Sequence, residues 1–263
     1  MTTKIKNTHS LMPKKAPVEK RGELCEPFIA GREPGRLIFD LGVMLSLMDF
    51  KKLSEPVLDF GAGTGWISEF VSRSGFNTVS FDIHGDLEKL LNGRATLDLR
   101  IDDSKLSYAH GDGHHMPFDN SSFGHLLCYD TLHHMHDYDK VFEEFYRVLR
   151  PGGIGIFVEP GARHSSSAET IAFVEAQKLH DPDWIERDVI LEEIDSIAKK
   201  SGFEYGICIV PVPHPLAFEK YRLSEFHDFQ NNVGIKRQSY CDKLAGQNYW
   251  ERTIFFVQKD NQD

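Results

Sequence analysis

The segment Val57-Leu58-Asp59-Phe60-Gly61-Ala62-Gly63-Thr64-Gly65-Trp66 constrains this chain more than any other. An apolar run ends in an acid and feeds straight into glycines at alternate positions, after which apolar residues recur at helical spacing. That order reads as a parallel strand, a tight turn and a helix, by which an α/β fold offers its backbone to a nucleotide-like ligand. Glycine is needed because such turns often require positive φ and because a side chain would hold the ligand off the backbone. The spacing narrows the ligand. A dinucleotide fingerprint runs G-x-G-x-x-G, whereas Gly61, Gly63 and Gly65 run G-x-G-x-G and Trp66 holds the place of the third dinucleotide glycine. A nicotinamide dehydrogenase is disfavoured on that ground.

The chain has room for one large α/β domain at 263 residues, and its 40% hydrophobic and 27% charged content is that of a globular protein. A net charge of -10 argues against a broad phosphate-binding surface, and so against nucleic-acid partners. Cys25, Cys128, Cys208 and Cys241 form no C-x-x-C pair and read as free thiols of a reducing, cytoplasmic compartment. No apolar stretch approaches the roughly 20 residues that span a bilayer. Leu37 to Phe50, broken by Asp40 and Asp49, reads as a buried amphipathic helix. Residues 1–22 carry Lys4, Lys6, Lys14, Lys15, Lys20 and Arg21 against Glu19, the pattern of a flexible basic tail.

Strands are expected near Pro56–Phe60, Asn77–Asp82, Leu106–His110, Gly124–Asp130 and Ile154–Val158, with helices near Thr64–Ser74, Asp86–Asn92 and after a cap at Asp137 or Asp139. Such alternation implies a parallel sheet covered on both faces. Helices are expected over His164–His180 and Ile185–Lys200, then strands over Tyr205–Val210 and Thr253–Gln258. The aromatic-rich residues 211–250 read as an insertion shaping a pocket, and 23–54 as a helical lid, within a single domain over 23–263.

In its acid followed by G-x-G-x-G the chain resembles the class I S-adenosylmethionine (SAM) methyltransferases. Further segments match that family in order: Asp82 at the end of the second strand, Gly111-Asp112-Gly113 after the third, His114-His115-Met116-Pro117-Phe118, Cys128-Tyr129-Asp130-Thr131-Leu132-His133-His134 after the fourth, and Val148-Leu149-Arg150-Pro151-Gly152-Gly153 before the fifth. The resemblance spans about residues 55 to 160 and implies a Rossmann-like, seven-stranded, mostly parallel sheet whose last strand is antiparallel. It implies SAM as cofactor, with Asp59, Phe60, Gly61, Ala62, Gly63, Asp82, Ile83, Gly111, Asp112, Gly113, Tyr129 and Asp130 as binding residues. Asp82 would meet the ribose and Asp112 the adenine amino group, with Met116 and Phe118 flanking the base or belonging to the core. Asp59 would either meet the methionine amino group or brace the glycine turn.

Methyl transfer from a sulfonium is an in-line displacement, so positioning does much of the work. A hydroxyl acceptor also needs a base with a pKa near neutrality. His133 and His134, with Glu159 after strand five, are the catalytic candidates, which the resemblance to sugar O-methyltransferases supports. Seven histidines lie between His110 and His136, but they scatter over a strand, two loops and a helix start, so no metal is expected. The run Glu159 to Ser167 resembles methyltransferases of glycan biosynthesis, and Arg163 and His164 there could meet an anionic acceptor. A small molecule is expected as acceptor, a sugar or glycan-precursor hydroxyl first and a quinone or phenol second. A SAM-binding scaffold without catalysis is the alternative of another class.

Overall fold

The computed structural model describes residues 3–4, 24–28, 33–98, 100–161, 163–209 and 252–261. Helix α1 (Pro34–Leu47) starts on a proline, whose missing N–H is no loss in a first turn. Then come β1 (Val57–Phe60), α2 (Trp66–Arg73), β2 (Thr78–Asp82), α3 (Leu87–Leu97), β3 (Leu106–His110) and β4 (Phe123–Tyr129). After these follow α4 (Tyr138–Val148), β5 (Leu149–Pro160), α5 (Ala168–Gln177), α6 (Leu191–Ser201), β6 (Tyr205–Ile209) and β7 (Arg252–Gln258).

The strands lie in the order β3-β2-β1-β4-β5-β7-β6. β1 to β5 pair in parallel, and β7 runs antiparallel to both of its neighbours. This is the expected seven-stranded Rossmann-like sheet with its reversed last strand. Thr3–Lys4 adds a two-residue antiparallel pairing on the free edge of β3, so this part of the expected tail meets the sheet. Strand order reverses between β1 and β4, and the crevice beyond their carboxyl ends is where such folds place a ligand.

β1 and β4 are buried at every position, as central strands covered on both faces must be. On one face Phe60, Phe142, Phe145, Phe157 and Phe255 gather with Ile194 and Ala198 of α6. On the other, Leu37, Leu41 and Met44 of α1 join Trp66, Ile67 and Val71 of α2 against Leu127, Ile156 and Ile254. Within the segment expected as a lid, the apolar stripe of α1 packs into this core, and none of its residues lines the cavity described below.

Asp137 caps α4 by accepting from the Lys140 N–H, and Ser167 caps α5 by accepting from the Thr170 N–H. α3 runs five residues beyond the expected end at Asn92. β5 starts at Leu149 rather than Ile154, because the Pro151–Gly153 stretch returns beside β4 through a register shift between Phe123 and His125. Residues 185–190, expected as the start of a helix, are non-helical. The Ile185 carbonyl, the Glu186 carboxylate and the Arg187 N–H meet the loop after β4 instead. The expected insertion over 211–250 lies outside the described residues.

Candidate active site

Beyond the carboxyl ends of β1 to β4 lies a cavity of about 460 Å³, the size of a small-molecule site. Phe60, Gly61, Gly63, Asp82, Ile83, Gly111, Asp112, Gly113 and Asp130, all among the residues expected to hold the cofactor, line it. Further wall comes from Phe81, His84 and His114, from Thr131, His134, Met135 and His136 after β4, and from Asp181, Asp183, Trp184 and Ile185.

The glycine turn is built by its neighbours. Gly61 sits at φ +69°, and a Cβ there would overlap the Thr131 side chain, whose Oγ1 donates to the Gly61 carbonyl at 3.1 Å. Asp82 accepts from the Gly63 N–H with one carboxylate oxygen and from the His84 N–H with the other, both at 2.8 Å. One carboxylate thus fixes two turns while lining the cavity. Asp112 accepts from the His114 N–H at 2.9 Å and meets His114 Nδ1 at 2.7 Å, contacts that hold it below the usual carboxylate range.

Asp59, Ala62 and Tyr129, also expected as binding residues, are not among those lining the cavity. Asp59 is buried and accepts from Ser68 Oγ of α2 at 2.5 Å, and Ser68 in turn accepts from Ser80 Oγ. Burial raises the Asp59 carboxyl to about 7, with Ser68 opposing the rise. Ala62 packs with Leu87 and Leu91. The Tyr129 hydroxyl donates to Asp40 at 3.1 Å, and its ring meets Trp66 edge-on. Met116 is core, and Phe118 packs edge-on against Phe81 and Phe123.

The three expected catalytic residues divide. Glu159 is fully buried and takes the N–H groups of Thr131 at 3.1 Å and Leu132 at 2.9 Å, so it braces the loop after β4. His133 is buried too, with Nδ1 at 2.7 Å from Glu159 Oε2 and Nε2 at 3.2 Å from Glu186 Oε2. Burial alone would lower its pKa, but its hydrogen bonds to the two carboxylates win and raise it to about 10. Neither residue is among those lining the cavity, and both ring nitrogens of His133 already face carboxylates. His134 does line the cavity. Its Nδ1–H donates to the Ile185 carbonyl at 3.1 Å, which leaves the lone pair on Nε2. Burial, and then the charge of His133, hold its pKa below the ordinary histidine value, so it is neutral at neutral pH.

His133, His134 and Glu186 bring ligand-type atoms within 4.8 Å of one another. Both ring nitrogens of His133 already face carboxylates, and Nδ1 of His134 faces a carbonyl, so these contacts are satisfied as hydrogen bonds. His164 Nε2 lies 2.8 Å from Glu186 Oε2, and neither it nor Arg163 lines the cavity.

A buried charge group stands behind Asp130. Arg252 at the start of β7 hydrogen-bonds Asp130 and lies 3.1 Å from Asp40 of α1. Asp130 stays ionised despite its burial because Arg252 opposes that cost. Burial raises the Asp40 carboxyl, with Arg252 pulling the other way.

The sequence reading missed Thr131 and the segment Asp181–Glu186. Asp181-Pro182-Asp183 was a legible sign of a break between two helices. What this break carries, an indole facing the cavity and a carboxylate facing three imidazoles, depends on long-range docking.

Residues 58–157 match the family model described as a methyltransferase domain. Phosphoethanolamine N-methyltransferase 2 of Caenorhabditis elegans is 27% identical over 235 residues, covering 87% of this chain and 50% of that protein. A demethylmenaquinone methyltransferase of Clavibacter sepedonicus is 32% identical over 99 residues, 38% of each chain. Among solved structures, Haemonchus contortus phosphoethanolamine N-methyltransferase 2 in complex with S-adenosyl-L-methionine superposes with a TM-score of 0.59 at 22% identity. That match covers 86% of this chain and 53% of that one. The chain thus spans about half the length of these phosphoethanolamine methyltransferases.

Proposed function

On the premise that this chain belongs to the class I SAM-dependent methyltransferases, we propose that it methylates a nitrogen or oxygen nucleophile of a small molecule held beside His134. The lining fits the cofactor. Gly61 and Gly113 leave bare backbone where a Cβ would strike Thr131 or Phe60, and Asp82 and Asp112 offer acceptors for ribose hydroxyls and an adenine amino group. Bound there, SAM supplies an electrophilic methyl group on a sulfonium. The chain's own part is to hold the acceptor in line and to take its proton.

The observation that carries this reading is His134: neutral, tethered through Nδ1 to Ile185, with its lone pair on Nε2 and its ring at the cavity wall. A histidine in that state is a general base at neutral pH. Among the described residues the lining carries Asp181 and Asp183 and no lysine or arginine. That favours a neutral or cationic acceptor such as an amine, and similarity to phosphoethanolamine N-methyltransferases points the same way. The sugar hydroxyl remains a second reading because of Trp184, whose ring beside two carboxylates suits a polyhydroxylated ring.

The test is turnover of His134→Ala with an amine acceptor and a sugar acceptor. A fall of about 100-fold or more in kcat is expected, with S-adenosylhomocysteine affinity unchanged. Full turnover in the variant would remove the base assignment.

A further inference from the structure

Glu186 lies between α5 and α6, yet its carboxylate reaches the loop after β4. Its Oε2 lies 3.2 Å from His133 Nε2 and 2.8 Å from His164 Nε2, and its Oε1 accepts from the Trp184 indole N–H at 3.1 Å and lies 3.4 Å from His134 Nδ1. The side chain is 4% exposed. Neighbouring backbone docks in the same place: the Arg187 N–H donates to the His133 carbonyl at 3.0 Å, and the Ile185 carbonyl accepts from His134.

Counting hydrogens fixes the charge of His133. A carboxylate only accepts, and His133 presents one ring nitrogen to Glu159 and the other to Glu186. Both nitrogens must then carry hydrogen, which makes the ring a cation. Its centroid is 3.9 Å from that of His134. Two imidazolium rings at that separation in a buried site repel strongly, so the fixed charge on the first disfavours charging the second. The groups facing the pair are Glu159 from β5, Glu186, His164 from the loop after β5, and Asp130 from the loop after β4, itself neutralised by Arg252.

We propose that Glu186 is a positioning residue: together with Glu159 it fixes His133 as a cation, and that cation keeps His134 neutral with its lone pair on Nε2. The inference rests on the reading of His134 as the base, and it explains why two adjacent histidines are not interchangeable. One supplies a permanent charge and the other the lone pair.

Nitrogen-15 NMR of histidine-labelled full-length protein tests it without turnover. His133 is expected to show two protonated ring nitrogens from about pH 6 to 9, while His134 shows the neutral Nδ1–H form at pH 7. In Glu186→Gln the His133 titration should fall by about one pH unit or more, and Glu186→Asp should restore part of that shift. In His133→Gln the His134 titration, and the acid limb of the kcat profile, should move upward. A single protonated nitrogen on wild-type His133 at pH 7 overturns the proposal. So does a Glu186→Gln protein with an unmoved His133. If neither variant folds, the wild-type spectrum decides alone. Should the spectra hold while His134→Ala keeps full turnover, the charge arrangement stands and the base assignment falls.

Discussion

Asp82 and Asp59 are two strand aspartates on either side of the glycine turn, and their neighbours give them opposite work. Asp82 ends its strand, so its carboxylate reaches the Gly63 and His84 amides and the cavity. Its place in the crevice was legible because position at a strand's carboxyl end dictates exposure there. Asp59 points toward α2, where Ser68 takes it, and only the packing of that helix decides this. Asp82→Asn leaves one of the two amides facing a donor instead of an acceptor. It should cost about 1–3 kcal/mol in urea unfolding and weaken S-adenosylhomocysteine binding about tenfold in calorimetry. Unchanged affinity would remove Asp82 from the binding site. The histidine pair repeats the lesson. The letters at 133 and 134 are identical, and what separates them is Glu186, 52 residues on, which no local pattern indicates.

Among elements, the strands and the cap at Asp137 followed from period and turn chemistry, whereas the ends of α5 and α6 did not. Residues 185–190 have the apolar content of a helix, but the Ile185 carbonyl, the Glu186 carboxylate and the Arg187 N–H satisfy groups after β4, and that docking outweighs propensity. Helix α1 is tied into the molecule in a similar way. Its Asp40 shares Arg252 with Asp130, so the first described helix, β7 and the cavity wall meet at one guanidinium. Arg252→Met would leave the buried Asp40 and the half-buried Asp130 without their cation. A loss of about 3–5 kcal/mol is expected, together with faster amide exchange in α1. A variant as stable as wild type would show that the three elements are not coupled there.

For the whole molecule, the order of motifs sufficed for the sheet because the segments after β1 to β4 fall beside one crevice, while Val148–Gly153 marks the opposite end, where β5 begins. The acceptor wall was harder to read, since it is assembled from the loop after β4 and a segment some 50 residues later. Global stability carries the mark of that wall. His133 keeps a proton in the folded chain up to about pH 10 that the unfolded chain releases near its ordinary pKa of 6.5. Its contribution is therefore complete below pH 6.5 and is lost as pH rises toward 10, with a slope of at most about 1.4 kcal/mol per pH unit. Urea titrations at steps across this window should show a steeper decline for wild type than for His133→Gln. Parallel curves would mean that the ring is neutral when folded.

Whether the crevice over the glycine turn holds SAM is decided by calorimetric titration with its demethylated product, S-adenosylhomocysteine. One molecule bound per chain, with no heat from NADH under the same conditions, is the predicted result. A folded sample that gives no signal with S-adenosylhomocysteine would contradict the account.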